Sequence, residues 1–453
     1  MSALTVRFWG VRGSVPSPIT NAAIEEKMVE VARKAIVKFK IRDGHVPDEE
    51  VLEWMRSSIP FRDRATYGGN TTCVEVRVGG ELIILDMGTG LRELGLSLMG
   101  ETRKYGGLKG TILQSHVHWD HIQGYPFWPQ LYIPRTAVQN EFMFYGGREW
   151  DKSLEEVLRG QMNPPVFPVD HRELEMTSLK MNFDTVYDGK KIIISQLPEA
   201  DRVRVTCRKL NHPQETYGYR IEHRGKVLAF CTDHEPYAGN EPPRGLLELA
   251  KDADVFITDC QYSHDEYAGV GGKVQKHGWG HSYPEYIAKV ADMAKVKKVV
   301  TTHHAPQASD ARIEELAEAV EATAGGGLRG VVLLARRGAA LRCRRGRAWL
   351  HGGSRQPRHR IFGVLLLLLV LLDVRSPHGV ARRRGPDLVL LQVVQPAPRR
   401  REHAAPVRQA LELPRVLVLR LALGLRLLPK HLLHDFAVPP GPVGRREAQV
   451  LAE

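Results

Sequence analysis

Four side chains of the kinds that bind metal ions lie within six positions of the segment SHVHWDHIQG: His116, His118, Asp120 and His121. His116 and His118 are two residues apart, so in an extended chain their imidazoles point in the same direction. Asp120 and His121 follow on a turn, from which they can reach a second, neighbouring point. Imidazole nitrogens and carboxylate oxygens are ligands of zinc and similar ions. The segment therefore predicts half of a site for two metal ions.

Further ligand-type residues follow apolar, strand-like segments later in the chain. His212 comes after RVRVTCRKL, Asp233 comes after KVLAFCT, and the pair His303 and His304 comes after KKVVTT. Taken singly, each would more often be an ordinary loop residue. Sites in α/β proteins form where the carboxyl ends of strands meet. We therefore expect His212, Asp233 and one histidine of the pair to complete the site.

The elements that must position these residues predict an α/β domain over residues 1–341. Strand-like segments such as LTVRFWG, CVEVRV, ELIILD and KGTILQSH are followed by others that alternate with helical ones, such as YPEYIAKVADMAKV. Residues 20–60 differ, because NAAIEEKMVEVARKAIVKFK and PDEEVLEWMRSS both have helical periodicity. This stretch predicts a helical insertion between strands.

The composition changes in the last quarter of the chain. From residue 336 onward there are 23 basic and 7 acidic residues, whereas the preceding part has 41 basic and 45 acidic residues. The net charge of +12 therefore arises in the tail, and the body gives no electrostatic indication of polyanion binding. Residues 342–453 are rich in Arg, Leu and Pro without a steady period. Three interpretations stay open: an out-of-frame translation, a disordered basic segment, or a second folded domain.

Cysteine spacing and hydropathy indicate a soluble, cytoplasmic protein. The five cysteines are scattered, with no pair at C-x-x-C spacing, so neither a thiolate zinc site nor a secreted disulfide framework is expected. The first residues lack a basic stretch followed by an apolar core. The longest apolar run, 361–372, is shorter than the roughly 20 residues of a membrane-spanning helix. We expect no membrane partner.

The motifs LDMGTG, SHVHWDH, NHP, TD and THH, in this order, resemble those of the metallo-β-lactamase superfamily. FWGVRGSVPSP, YGGNTTCVEVR and HGWGHSYPEY are similar to the branch that contains ribonuclease Z and small phosphodiesterases. The resemblance covers residues 5 to 341, apart from the helical insertion. It implies an αββα sandwich with two divalent metal ions at one edge of the sheets. Zinc is the first expectation, and manganese or iron also suits these ligands.

The resemblance also divides the ligands between the two ions. The first ion would be held by His116, His118 and His212. The second would be held by Asp120, His121 and His303, and Asp233 would bridge the two ions. Water held between two such ions loses a proton near neutral pH, and the resulting hydroxide attacks the substrate. Asp120 is thereby assigned to catalysis as well as to metal binding.

Four more residues are assigned to the surroundings of the ions. His281, in the motif GHSYPEY, would act as general acid or stabilise a developing oxyanion, with a packing role at a helix start as the alternative. Asp86 would brace the histidine loop through hydrogen bonds. Asn70 lies in a glycine-rich turn that could approach the substrate or be purely structural. His304 would be a neighbour of the ligand His303, and a slip of one residue would exchange them.

These assignments predict a dinuclear metal-dependent hydrolase, with a metal-bridging hydroxide acting on a nucleotide-type or cyclic phosphodiester. One alternative is a tRNA 3′-processing endonuclease, although no Gly/Pro-rich arm is evident between residues 135 and 205. Another is a lactone or thioester hydrolase of the same fold. A complete ligand set argues against a non-catalytic binding module. The expected partners are a small phosphodiester or nucleotide, or else RNA, and a second copy of the chain, because dimers are usual in this branch.

Overall fold

The computed structural model describes residues 4–39, 46–134, 136–176, 179–194, 197–324, 333–334, 340–344 and 347–351. All of them belong to the first of two units into which the chain divides, Met1–Arg360. The prediction for the tail beyond residue 351 lies outside the described residues.

The described strands form two sheets. The first sheet contains β1 (Leu4–Gly10), β2 (Cys73–Val78), β3 (Glu81–Leu85), β4 (Lys109–Leu113), β5 (Asn140–Gly146), β6 (Leu179–Thr185), β14 (Ala340–Arg344) and β15 (Arg347–His351), in the order β15-β14-β1-β2-β3-β4-β5-β6. The second contains β7 (Lys191–Ile193), β8 (Arg204–Lys209), β9 (Tyr217–His223), β10 (Lys226–Cys231), β11 (Val255–Asp259), β12 (Val299–Thr302) and β13 (Leu333–Leu334), in the order β13-β12-β11-β10-β9-β8-β7.

Parallel pairing in both sheets brings the predicted metal ligands to one edge of the sandwich. In the first sheet, β3, β4, β5 and β6 are parallel neighbours. In the second sheet, β10, β11, β12 and β13 are parallel neighbours. Neighbouring parallel strands end on the same side of a sheet, so the loops after them cluster there.

The described helices are α1 (Asn21–Phe39), α2 (Asp48–Ser58), α3 (Phe61–Arg64), α4 (Gly90–Tyr105), α5 (Trp119–Ile122), α6 (Leu154–Gly160), α7 (Arg244–Ala250), α8 (His264–Ala268), α9 (Pro284–Met293) and α10 (Asp310–Thr323). Helix α4 packs on the first sheet, and α7, α9 and α10 pack on the second. Among these described helices, none combines the length with the apolar composition that crossing a membrane requires. A cytoplasmic location stays a prediction.

Three apolar layers hold the sandwich together. The middle layer lies between the sheets and includes Phe8 and Val76 of the first sheet and Tyr219 and Phe230 of the second, each at most 1% exposed. The two outer layers fill the space between each sheet and its helices. The order helix, sheet, sheet, helix confirms the predicted αββα architecture, because each sheet is apolar on both faces.

The predicted helical insertion corresponds to α1, α2 and α3. No residue of α1 or α2 is fully buried. Polar contacts attach the insertion to the body, because Lys27 Nζ lies 3.0 Å from Asp310 Oδ2 and Arg62 Nη1 donates to Glu314 Oε2 at 2.9 Å. The insertion therefore rests on the N-terminal half of α10.

Three described strands, β5, β6 and β15, lie outside the sequence prediction, whereas β14 overlaps the end of the strand-like segment RGVVLLARRGAAL. β5 and β6 extend the first sheet, and the run of apolar residues FMFY in β5 was an available signal. β14 and β15 pair next to β1, so the predicted domain boundary at residue 341 falls inside a strand. Leu341 of β14 is 1% exposed and belongs to the layer between the sheets.

The pairing of β14 with β1 predicts where the chain can be shortened. A chain ending at residue 351 should unfold at the same temperature as a chain extended into the tail. Ending it at residue 339 should destabilise it by about 2–5 kcal/mol or more, because Leu341 leaves a gap and β1 loses its neighbour. Thermal unfolding of the two shortened chains measures this. Equal unfolding temperatures would show that β14 adds no stability.

Candidate metal centre

The residues at the site edge have an unusual backbone conformation. Asp86 follows β3, Asp233 follows β10 and His303 follows β12, with φ angles of 61°, 59° and 53°. Residues other than glycine seldom adopt positive φ, and such strain persists only where surrounding structure enforces it. All three side chains are at most 1% exposed. The strand ends therefore hold three buried polar groups in fixed positions.

Three histidines form the first cluster of possible metal ligands: His116, His118 and His212. His118 Nδ1 and His212 Nε2 are 3.2 Å apart. His212 Nδ1 lies 3.0 Å from the carbonyl oxygen of Gly280, to which it donates, so its Nε2 lone pair is left for an ion. Gly280 has φ 79°, and a Cβ there would lie 1.9 Å from the His212 ring. A glycine is therefore required beneath this ligand.

A carboxylate and two histidines form the second cluster: Asp120, His121 and His303. Asp120 Oδ2 is 3.0 Å from His303 Nε2 and 3.3 Å from His121 Nε2. The two Nε2 atoms are 3.1 Å apart. Asp233 lies between the clusters, with Oδ2 3.4 Å from His121 Nε2, 3.3 Å from His303 Nε2 and 3.6 Å from His116 Nε2.

These distances suit divalent metal ions. Ligands about 2.0–2.1 Å from a tetrahedral ion are about 3.3–3.4 Å from one another, close to the separations within each cluster. His116 Nε2 is buried and has no hydrogen-bond partner, which is costly unless an ion binds it. His116, His121 and Asp233 also converge, so the two clusters share an edge. The residues therefore fit a pair of neighbouring ions, with Asp233 next to both.

The charges of the cluster depend on one another. Burial alone would raise the pKa of Asp233, but His303 and His121 hold it well below its ordinary value. Burial would lower the pKa of His121, yet Asp120, Asp233 and Asp86 raise it well above its ordinary value. Burial lowers the pKa of His212 to about 4. A proton on His121 thus balances the carboxylates, and a cation must displace that proton when it binds.

Asp86 supports the histidine segment from below. Its Oδ1 accepts from the Ser115 amide at 2.7 Å, and its Oδ2 accepts from the Ser115 hydroxyl at 2.8 Å. His121 Nδ1 lies 2.8 Å from the same Oδ2 and donates to it. Ser115 Oγ in turn lies 3.0 Å from His116 Nδ1. Asp86 therefore orients both neighbouring histidines without reaching an ion.

His281 borders the second cluster. Its ring is stacked on the ring of His303, with the ring centres 5.0 Å apart. One ring nitrogen of His281 also lies close enough to Asp233 and His303 for the three to form a further group of possible ligands. Its Nδ1 lies 3.5 Å from Asp259 Oδ2, at the carboxyl end of β11. Burial would lower the pKa of His281, but Asp259 and Asp233 raise it above its ordinary value. The imidazole therefore tends to carry a proton beside the clusters.

The remaining predicted residues lie in the loops that surround the clusters. His304 donates its amide to the carbonyl oxygen of Val11, and its ring lies beside Tyr67 rather than in a ligand cluster. Asn70 Oδ1 accepts from Thr89 Oγ1 at 3.3 Å, so this side chain is engaged within the protein. A contact between Asn70 and substrate stays a prediction.

Three contacts of the site were not anticipated from the sequence. The Ser14 amide, at φ 63°, donates to Asp120 Oδ2 at 2.7 Å, and Gln261 Nε2 lies 3.3 Å from His303 Nδ1. Asp259 accepts from the Ser282 amide at 2.8 Å and faces His281. Asp259 ends a buried strand, as Asp86 and Asp233 nearly do, so the same strand-end signal could have found it.

Comparison with known proteins agrees with these motifs. Residues 83–304 match the family model described as "Beta-lactamase superfamily domain". Ribonuclease Z of Clostridium kluyveri is 25% identical over 289 residues, which cover 55% of this chain and 85% of that protein. Residues 83–304 are thus similar to the domain of the β-lactamase superfamily, and the predicted resemblance to this superfamily and to its hydrolases is confirmed.

Two solved structures are similar in fold. The metallo-β-lactamase fold protein YhfI from Bacillus subtilis has a TM-score of 0.45 and 15% identity, over 76% of this chain and 100% of that chain. A diphosphatase from the PhnP family has a TM-score of 0.45 and 18% identity, over 75% of this chain and 97% of that chain.

The hydrogen bonds of Asp86 predict that Asp86→Asn weakens metal binding about 10- to 100-fold. Asparagine tolerates the positive φ of this position, but one of its two polar atoms becomes a donor and can no longer accept. Isothermal titration of the metal-free variant with zinc measures the change. Asp254→Asn is the matched control, because Asp254 Oδ2 accepts from the Val227 amide near the start of β10, whereas the ligand Asp233 follows the other end of that strand. Unchanged zinc affinity in Asp86→Asn would contradict the bracing role.

Proposed function

We propose that this hydrolase of the metallo-β-lactamase superfamily cleaves a phosphodiester bond, and that His281 protonates the leaving oxygen. The observation that supports this most is the position of His281 between Asp259 and the ligand clusters. An alkoxide is a poor leaving group and needs a proton as its bond to phosphorus breaks. A buried imidazolium beside the clusters can supply that proton.

The orientation of His281 supports a donor role. Asp259 faces Nδ1 at 3.5 Å, a distance suited to charge attraction but long for a strong hydrogen bond. Asp259 is itself fixed, because its Oδ2 accepts from the Ser282 amide at 2.8 Å. With Nδ1 turned to the carboxylate, the Nε2–H of His281 is the group left for the substrate. Stacking on His303 limits rotation of the ring.

The ligand clusters define where the substrate phosphate would lie. His116, His118 and His212 would hold one divalent ion, Asp120, His121 and His303 the other, and Asp233 both; we propose zinc, with manganese or iron as alternatives. Such ions, when bound, supply positive charge that activates water and neutralises phosphoryl oxygens. The chain itself orients the ligands through Asp86, Gly280 and Ser14, and His281 delivers the proton.

RNA is the second candidate substrate, and the named relatives favour it. The Clostridium kluyveri relative is a ribonuclease Z, and this chain covers 85% of its length. tRNA 3′-end processing therefore stays the main alternative to a small nucleotide-type or cyclic phosphodiester. A panel of cyclic nucleotides, pre-tRNA and lactones, assayed with the zinc-loaded protein, distinguishes these substrates. Turnover of lactones alone would overturn the proposal, since their hydrolysis needs no phosphoryl chemistry.

The proton-donor role predicts a dependence on the leaving group. His281→Ala should keep its zinc content but lose about 10²- to 10⁴-fold in kcat for phosphodiesters with alkoxide leaving groups. Substrates with p-nitrophenolate, which leaves without a proton, should lose much less. Steady-state kinetics on both substrate types measures this, with His264→Ala, at a half-exposed histidine, as control. Equal losses on both substrates would contradict proton donation.

The Asp259 carboxylate predicts a shift in the pH profile. General-acid activity needs protonated His281, so it is present below the raised pKa of His281 and is lost as pH rises through it. Asp259→Asn removes a cause of the raised pKa, so the alkaline limb of kcat against pH should move to lower pH. An alkoxide-leaving substrate reports this shift. If the alkaline limb does not move, Asp259 does not influence the pKa of the group that donates the proton.

A further inference from the structure

Three exposed tryptophans lie in segments that carry metal ligands or contact the loops that do. Among residues whose exposure the structure describes, Trp119 is 71% exposed, Trp150 is 84% exposed and Trp279 is 51% exposed. Trp119 stands between His118 and Asp120 in the ligand motif itself. Large aromatic rings are usually buried, at least in part, so three exposed rings around one site need an explanation.

Trp150 occupies a position that is unfavourable for its residue type. It lies with Asp151 at the tip of a tight turn, closed by paired hydrogen bonds between Glu149 and Lys152. Both tip residues have positive φ, 49° and 65°, where Asn and Gly are the favoured residues. A bulky side chain with positive φ is a genuine outlier. Neither turn formation nor packing accounts for a tryptophan here, so its exposed ring calls for a binding role.

The turn is joined to a ligand loop. Glu149 Oε2 accepts from the Glu215 amide at 2.9 Å. Glu215 lies in the loop between β8 and β9, three residues after His212. A Cβ on Gly147 would lie 2.7 Å from the Tyr217 ring, so the start of the turn packs closely on the end of that loop. The turn that carries Trp150 is thus attached to the loop that carries His212.

Trp279 lies next to the residue that contacts the same ligand. It precedes Gly280, whose carbonyl oxygen holds His212, and it is two residues before His281. Lys276 Nζ lies 3.7 Å from the centre of the Trp279 ring. Basic residues also flank the other turn, since Arg148 and Lys152 lie two residues on either side of Trp150. Each of these two loops therefore presents an exposed ring with a cationic neighbour.

We propose that Trp119, Trp150 and Trp279 stack on unpaired bases of a single-stranded polynucleotide whose phosphodiester lies at the metal centre. This inference rests on the proposed phosphodiesterase function. Exposed aromatic rings beside basic side chains are the combination that binds single strands, because every base offers a flat face and every linkage a negative charge. Rings on three separate segments offer several stacking positions, whereas a mononucleotide has only one base. Bases within a duplex are already stacked and cannot reach the rings.

The test compares two strands that differ only in their bases. One is a short single-stranded RNA, and the other is the same strand with abasic residues on both sides of the cleaved bond. The wild-type protein should have the lower KM for the strand with bases. Trp150→Ala and Trp279→Ala should each raise KM for that strand about 5- to 150-fold, so that the ratio of the two KM values falls toward one. Trp150→Phe should retain most of the preference.

Tyr105→Ala is the control variant. Tyr105 is 63% exposed at the carboxyl end of α4, on the side where β4 begins, and β4 carries the ligand motif at its other end. The KM values of the Tyr105→Ala variant for both strands should equal those of the wild type. Equal KM values for the two strands in the wild type, or tryptophan variants that retain its preference, would overturn base stacking while leaving phosphodiesterase activity intact.

Failure of the proposed function has a different signature. If the zinc-loaded protein cleaves neither strand, fluorescence anisotropy of the labelled strands with the same zinc-loaded protein measures binding alone. Binding of the strand with bases that weakens in Trp150→Ala supports stacking without phosphodiester cleavage. Binding that is equal for both strands, or unchanged in the variant, contradicts stacking as well.

Discussion

Compensation of buried negative charge is the constraint on which the site depends. Asp86, Asp120 and Asp233 are nearly inaccessible to water, and isolated carboxylates in such a place would be prohibitively unstable. Imidazoles meet them at 2.8–3.4 Å, and the excess negative charge is balanced by a proton on His121 or by cations. Removing one partner leaves the others uncompensated. The cluster therefore acts as one unit, which explains why so many ligand-type residues are gathered in so small a volume.

The sandwich supplies the rigidity that this balance requires. Parallel strands in both sheets end at one edge, and the apolar layer between the sheets fixes the distance between those ends. Left-handed backbone at Asp86, Asp233 and His303 then turns each chain immediately after its strand. Such strain is tolerated because the strands before it are locked by pairing and burial. The stable core thus keeps the strained backbone, and with it the metal-ligand side chains, in fixed positions at the edge of the sheets.

The sequence was most informative where one short segment carries several ligands. Asp120 and His121 could be proposed as ligands because H-x-H-x-D-H is specific. The strand-like segment KKVVTT placed both His303 and His304 at the same edge, and the family resemblance favoured His303. The sequence was least informative where contacts between residues far apart in the chain determine the structure. The Ser14 amide reaches Asp120 across 106 positions, and a backbone donor leaves no mark in side-chain chemistry. β15 was obscured by the arginine-rich composition of the tail, although its pairing with β14 makes it part of the sheet.

The division of ligands between the sheets has a mechanical consequence. His121 lies in α5, which follows β4 of the first sheet, and His303 directly follows β12 of the second. A bound ion would therefore cross-link the two layers and close a loop of the chain. A disulfide has the same effect, but the ion requires no cysteine. Sliding of one sheet over the other would break the coordination, so ion occupancy and the cohesion of the two layers should rise and fall together.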